Sequence, residues 1–188
     1  MTTTHEKLLA LLDQHQARYT LMEHAPTGKC EEVAAIRGTA IGQGAKALVC
    51  HVKGNGIRQH VLAVLPADQQ ADLTRVASAA GGTRASLASP AEVDKLTGCV
   101  FGAIPPFSFH PDLRLLVDPL LFERFDEIAF NAGLLEKSVV LKVEDYKRIA
   151  GGRVVPIGKY GGSVKCLSLG KKHTSNIFES RCVKRKYA

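Results

Sequence analysis

The sequence has no tryptophan, and only 6% of its 188 residues are aromatic. It also lacks any apolar run near the about 20 residues that a membrane-spanning helix needs. The opening Met-Thr-Thr-Thr-His-Glu does not join a basic region to an apolar block, so no secretory signal is predicted. These absences predict a cytoplasmic protein with no membrane partner. The length predicts one domain with a sizeable core.

The sequence shows no disulfide or zinc framework. Its cysteines are odd in number and widely spaced: Cys30, Cys50, Cys99, Cys166 and Cys182. No CxxC or HxxxH spacing occurs, so neither a disulfide scaffold nor a structural zinc site is predicted. We expect free thiols and no metal or other cofactor.

The net charge of +7 is concentrated at one end of the chain. Residues 151–188 contain nine lysines and arginines against the single acid Glu179, whereas residues 1–150 contain 16 basic and 17 acidic residues. The body, residues 1–150, is therefore not a general polyanion binder. We predict that residues 151–188 form a flexible basic tail rich in glycine and lysine. Such a tail can hold RNA electrostatically, or it can be a solvated tail or a sequence foreign to the domain.

Hydrophobic patterns and caps predict a compact mixture of helices and strands over residues 1–150. Thr3-x-x-Glu6 is a capping box, and Ser89-Pro90 marks another helix start. Gly54-Asn-Gly between two apolar runs predicts a type I′ hairpin. We expect six or seven strands and four helices. The predicted class is α+β (mixed α/β), with one central, mostly antiparallel mixed sheet flanked by helices.

Lys46 stands where a glycine-rich stretch enters an apolar run. A lysine in that place can offer a fixed cation to a phosphate or a carbonyl oxygen. It can also cover apolar surface with its stem while its ammonium group reaches water, and the residues alone favour this second interpretation. No GxxxxGK[ST] motif is present, so nucleotide hydrolysis is not predicted.

A second unusual stretch is the glycine- and proline-rich loop that follows Gly98. Gly102 permits backbone angles that other residues avoid, and Pro105-Pro106 stiffens the following turn. Such a loop can aim N–H groups at a developing oxyanion, or it can be a plain rigid turn.

A nucleophilic side chain is hard to identify. Cys99 lies beside this loop, and His51, His60 and His110 are available bases, but the spacing pairs none of them with it. No GxSxG motif occurs. For a hydrolase, water is therefore the favoured attacking group, with a Cys99 thiol as a weaker alternative.

Several separated motifs carry a family resemblance. They occur in order as Gly44-Ala-Lys-Ala-Leu-Val, Ser89-Pro-Ala-Glu-Val, Thr97-Gly-Cys-Val-Phe-Gly-Ala-Ile-Pro-Pro106 and Asn131-Ala-Gly133. Over about residues 5–150 the chain resembles the YbaK family, free-standing relatives of the editing domain inserted in bacterial prolyl-tRNA synthetases. The residues of these motifs are most similar to those of the YeaK group, which resembles factors that clear serine and threonine from tRNA.

The resemblance implies aminoacyl-tRNA deacylation, the hydrolysis of the ester that joins a wrong amino acid to the tRNA 3′ adenosine. Ser-tRNA is the expected substrate, followed by Thr- and Ala-tRNA. Lys46 matches the family's lysine, and the segment Gly102-Ala103-Ile104-Pro105-Pro106 matches its GxxxP loop, whose backbone grips the aminoacyl end. A water assisted by the substrate's own ribose hydroxyl is implied as the nucleophile.

Two positions fit the family pattern less closely. Cys30 falls near a position that shapes the amino-acid pocket in relatives, and Ser138 stands where relatives often have His or Asp.

The alternative function is a non-catalytic tRNA- or protein-binding module on the same fold. The expected partner is the aminoacyl-tRNA acceptor end, bound by a monomer. Whether a synthetase delivers the substrate stays open.

Overall fold

The computed structural model describes residues 1–159 of the 188-residue chain. The helices in this part are α1 (Thr4–Gln14), α2 (Cys30–Arg37), α3 (Leu73–Ala79), α4 (Pro90–Thr97), α5 (Leu120–Glu123) and α6 (Val143–Ala150). The strands are β1 (Tyr19–Glu23), β2 (Ala45–Gly54), β3 (Ile57–Pro66), β4 (Arg84–Leu87), β5 (Leu113–Val117), β6 (Glu127–Asn131), β7 (Lys137–Lys142) and β8 (Arg153–Val154). No helix within residues 1–159 has the length and apolar character to span a membrane.

The strands form two sheets. The smaller sheet has the order β1-β7-β6 and is antiparallel, and the larger has the order β4-β2-β3-β5-β8 with both parallel and antiparallel pairs. An isolated bridge between Gly44 and Ala129 connects them. The mixed α/β class is confirmed, but the expectation of one central sheet is wrong. Apolar alternation identifies a strand without specifying which strand it pairs with.

The β2–β3 hairpin is confirmed at the predicted turn. Asn55 and Gly56 have φ angles of 51° and 74°, as a type I′ turn requires. The register runs from Gly54 opposite Ile57 to Ala45 opposite Pro66. On its other side β2 pairs with β4 only over residues 50–53, so its first half has an open edge.

Two buried apolar clusters lie on opposite faces of the larger sheet. One joins both sheets to α1, α4 and α6 and includes Leu12, Val49 and Phe130. The other packs α3 against the sheet and includes Val52 and Val76. The alternation of residues along β2 places neighbouring side chains in different clusters.

The segment after Ala150 packs on the body. The short strand β8 pairs in parallel with β5, and Ile157 is completely buried. The buried Asp118 carboxylate accepts hydrogen bonds from the N–H groups of Ile157 and Gly158, each at 2.9 Å. These contacts hold residues 153–158 against the body, although a single buried apolar residue and a single carboxylate contact leave no periodic signal in the sequence. The domain boundary at Ala150 stays a prediction. The remainder of the predicted tail, residues 160–188, lies outside the described residues.

Candidate active site

A cavity of about 240 Å³ opens beside the free edge of β2. Its walls come from α2, from residues 44–49, from the loop at residues 101–104 and from residues 129–131. Most of the side chains that line it are apolar. The cavity is smaller than the about 300–1,000 Å³ typical of drug-sized ligand sites, so it suits a small group such as an aminoacyl moiety.

Lys46 borders this cavity as the second residue of β2. Its side chain is half-buried, and its Nζ donates a hydrogen bond to the main-chain carbonyl of Gln69. No carboxylate of residues 1–159 forms an ion pair with it. An ammonium group has three donors, so Lys46 can bind a substrate oxygen in addition to this carbonyl.

The open edge of β2 supplies backbone groups to the same place. The Val49 carbonyl accepts a hydrogen bond from the Ala88 N–H at 2.9 Å, which shows that Val49 directs its backbone groups toward the β4 side. Backbone direction alternates along an antiparallel strand, so Ala47 points its N–H and C=O the same way, beyond the end of β4. Ala47 lines the cavity, and its peptide groups are available to a ligand there.

The Gly102 loop is held by three carbonyl contacts. The carbonyl of Gly102 accepts a hydrogen bond from Asn131 Nδ2 at 2.7 Å, and that of Pro106 accepts one from the Tyr146 hydroxyl at 2.8 Å. The carbonyl of Ala103 accepts one from the Gly133 N–H at 2.9 Å. The Asn-Ala-Gly motif therefore supports the Gly-Pro loop directly. Within residues 1–159, no acceptor is bonded to the Gly102 N–H.

The structure brings together half of the predicted site residues. Four line the cavity: Cys30, Lys46, Gly102 and Ile104. Ala103, Pro105 and Pro106 are buried in the supporting part of the loop and do not line it. Ser138 is away from the wall. The catalytic and substrate-binding roles of all eight stay predictions.

Ser138 is fully buried and reaches the cavity only through other side chains. Its Oγ lies 2.6 Å from His24 Nε2, 2.8 Å from Arg37 Nε and 3.2 Å from Asn131 Oδ1. The Ser138 hydroxyl therefore accepts a hydrogen bond from Arg37 and donates one to Asn131, beside the His24 ring. Ser138 is therefore engaged with neighbouring side chains and does not line the cavity.

Arg37 is a cavity residue that the sequence did not reveal. It ends α2, where a basic side chain is ordinarily explained by the helix dipole and solvent. Its Nη2 donates to Asn131 Oδ1 at 2.8 Å, and no acidic residue of the described part pairs with it. Burial lowers the pKa of Arg37 to about 10, so it still carries its charge at neutral pH.

The predicted alternative nucleophile is poorly placed. Cys99 is only 4% exposed, and burial raises the pKa of its thiol. Both features disfavour the thiolate that a nucleophilic cysteine needs. Cys99 does not line the cavity, and neither does any carboxylate or imidazole of residues 1–159.

One group in the described part of the chain contains three potential metal ligands, His51, His60 and Glu92. The two imidazole rings stack with centroids 4.7 Å apart and an interplanar angle of 11°. Because each nitrogen lone pair lies in its own ring plane, stacked rings do not converge on one tetrahedral ion. His60 Nε2 is instead 3.0 Å from Glu92 Oε1. We assign no metal site to this group.

The chain is similar to known editing proteins. A family model described as an aminoacyl-tRNA editing domain matches residues 24–149. The multifunctional Ser/Thr-tRNA deacylase ProXp-y of Escherichia coli (strain K12) is 70% identical over 154 residues, covering 82% of this chain and 92% of that protein. The prolyl-tRNA editing protein ProX of Acetoanaerobium sticklandii is 31% identical over 149 residues, covering 77% and 88%. The crystal structure of a hypothetical protein superposes with a TM-score of 0.73 at 23% identity, covering 82% of this chain and 100% of that one, which supports the fold.

Proposed function

The chain belongs to the aminoacyl-tRNA editing domain family, and we propose that it works in trans as an aminoacyl-tRNA deacylase that clears mischarged tRNA. The favoured substrate is Ser-tRNA, followed by Thr- and Ala-tRNA. The observation that carries this proposal is the meeting of Lys46 and Gly102 at one small cavity. The similarity to a Ser/Thr-tRNA deacylase supports the choice of substrate.

The cavity and its mouth match the two parts of an aminoacyl-adenosine end. The enclosed volume suits a small amino acid, while Leu87 and Phe101 at the rim are 59% and 54% exposed. Exposed aromatic side chains are sequence-tolerant stacking surfaces for bases. Phe101 is therefore available to the terminal adenine while the amino acid occupies the cavity.

The proposed reaction is attack of water on the ester carbonyl carbon. A bond forms from the water oxygen to that carbon, the bond to the ribose oxygen breaks, and the ribose oxygen leaves with a proton. Lys46 and the Gly102 N–H would stabilise the negative charge on the carbonyl oxygen. No carboxylate or imidazole of residues 1–159 lines the cavity, so the substrate's ribose hydroxyl is the proposed aid to proton transfer.

Hydrolysis of labelled Ser-, Thr-, Ala- and Pro-tRNA by the wild type and by Cys99→Ala tests this function. We expect Ser-tRNA to be hydrolysed fastest and Cys99→Ala to match the wild type. Binding without turnover of any tRNA would indicate the non-catalytic module instead. Loss of activity in Cys99→Ala would indicate the thiol mechanism.

A role for the basic end of the chain is a separate proposal. Residues 160–188 contain seven lysines and arginines against one acid, and they lie outside the described residues. We propose that they add an electrostatic contact with the tRNA. Deleting them should weaken tRNA binding at low salt and reduce the salt dependence of the affinity. Unchanged affinity at low salt would contradict this role.

Two further properties of the protein are its oligomeric state and its location in the cell. We propose that the protein is active as a monomer. An aminoacyl-tRNA substrate supports a cytoplasmic setting, and delivery by a synthetase stays open. Analytical ultracentrifugation of the wild type, compared with its specific activity over a range of concentrations, tests whether the monomer is the active form.

A further inference from the structure

Arg37 is a partly buried cation, and some of its N–H groups have no hydrogen-bond partner among residues 1–159. Its Nε and Nη2 are hydrogen-bonded to Ser138 Oγ and Asn131 Oδ1, both at 2.8 Å. A guanidinium group has five N–H donors and no acceptor. Within residues 1–159, Nη1 of Arg37 donates no hydrogen bond, and no carboxylate forms an ion pair with the side chain. Because Arg37 also lines the cavity, its remaining donors are available to a bound group.

The contacts of Arg37 fix its direction. Ser138 is fully buried among its three polar neighbours, and Asn131 also donates to the carbonyls of Thr27 and Gly102. Asn131 therefore connects Arg37 to the Gly102 loop. The planar guanidinium is held at two of its nitrogens, which leaves it little freedom to rotate.

The surroundings of Arg37 select the kind of group it can bind. Val33 and Ala34 lie one helical turn before it and form an apolar wall of the same cavity. A donor cation repels the substrate's α-ammonium and accepts no proton, so its partner must be an oxygen acceptor. A small apolar pocket with one fixed donor fits a short side chain that ends in a hydroxyl.

We propose that Arg37, positioned by Ser138 and Asn131, donates a hydrogen bond to the side-chain hydroxyl of the aminoacyl group. Arg37 thereby selects serine and threonine over side chains of equal size that lack the hydroxyl. This inference rests on the proposed deacylase function and assigns its specificity to a residue distinct from Lys46. A site built to bind a substrate hydroxyl rejects the analogue that lacks it, because the buried donor is left unpaired.

The test compares serine with 2-aminobutyrate, in which a methyl group replaces the hydroxyl, on the same tRNA. The measured quantity is the ratio of the two kcat/KM values. We expect the wild type to favour Ser-tRNA by at least about 30-fold, and Arg37→Met to reduce this ratio by at least about 10-fold. Arg37→Lys keeps the charge without the guanidinium fork, so it should also lower the ratio. Arg58→Met is the matched control, since Arg58 is exposed on β3 and away from the cavity.

The ratio separates specificity from folding, because a merely structural role would slow both substrates equally. An unchanged ratio in both Arg37 variants overturns the inference while leaving the deacylase function intact. A wild type that hydrolyses both substrates equally also overturns it. A wild type that hydrolyses no aminoacyl-tRNA overturns the proposed function itself, and this inference with it.

Discussion

Gly102 packs so closely against Gly28 that a Cβ on Gly102 would lie 2.9 Å from the Gly28 Cα. Gly102 also has a φ of +83°, a conformation that side chains disfavour. The contact places the Gly102 loop against the segment that leads into α2. The distance from this loop to α2 thus sets one dimension of the cavity.

Gly102→Ala should therefore damage the site. The new Cβ meets backbone rather than a flexible side chain, so the loop must move, and we expect hydrolysis of Ser-tRNA to slow at least about 10-fold. Gly56→Ala is the matched control, because Gly56 has a φ of +74° but no atom within 4 Å of a built Cβ. If Gly102→Ala were as active as Gly56→Ala, the contact with Gly28 would have no role in activity.

A second prediction concerns the acid dependence of stability. Asp145 is 5% exposed and accepts hydrogen bonds from the Arg18 backbone N–H at 2.8 Å and side-chain Nε at 3.0 Å. The Arg18 side-chain bond is the main cause that lowers the pKa of Asp145 to about 2. The folded-state pKa is below the unfolded value, so this stabilisation is complete above about pH 4 and is lost as the pH falls toward 2.

Urea unfolding of the wild type and Asp145→Asn at pH 7, 4 and 2.5 checks that sign. The difference in unfolding free energy should be largest at pH 7 and shrink at pH 2.5. Glu144→Gln is the control, because the Glu144 side chain is 86% exposed and its ion pair with Arg18 should contribute little. A wild-type advantage that stays constant from pH 7 to 2.5 would contradict the prediction.

A third prediction asks whether residues 151–159 contribute to the stability of the body or belong to the predicted tail. Ile157 is completely buried, whereas Val154, in the same segment, is 53% exposed. Truncating a buried isoleucine to alanine typically costs about 2–5 kcal/mol, so Ile157→Ala should lower the free energy of unfolding by that amount. Val154→Ala should change it by less than about 0.5 kcal/mol. Similar small effects of both variants would return residues 151–159 to the tail.

Local signals in the sequence predicted the elements well where a cap or a turn marked them. The capping boxes at Thr3 and Ser89 and the hairpin turn at Asn55 form as expected. The strand pairing was not predictable in the same way, because it depends on contacts between distant segments. The short strands β4 and β8 were missed, since exposed residues on their surfaces remove the apolar alternation.

The site was predictable only where the motif residues themselves line the cavity. Lys46 and Gly102 stood out by their glycine-rich surroundings and by their order in the chain. Arg37 did not, because its role depends on Asn131 and Ser138, which lie 94 and 101 residues away in sequence. Ser138 stood out because it departs from the family pattern, but only the fold shows that its hydroxyl is buried and contacts Arg37 and Asn131.

In the proposed reaction, the positive charge of Lys46 stabilises the negative charge that develops on the ester carbonyl oxygen. Single-turnover hydrolysis of Ser-tRNA by the wild type, Lys46→Ala and Lys53→Ala tests it, since Lys53 is an exposed lysine on the same strand. Loss of one stabilising group for a developing oxyanion typically costs about 10²–10³ in rate, and we predict such a loss for Lys46→Ala with Lys53→Ala close to the wild type. Hydrolysis by Lys46→Ala at the wild-type rate would contradict the account.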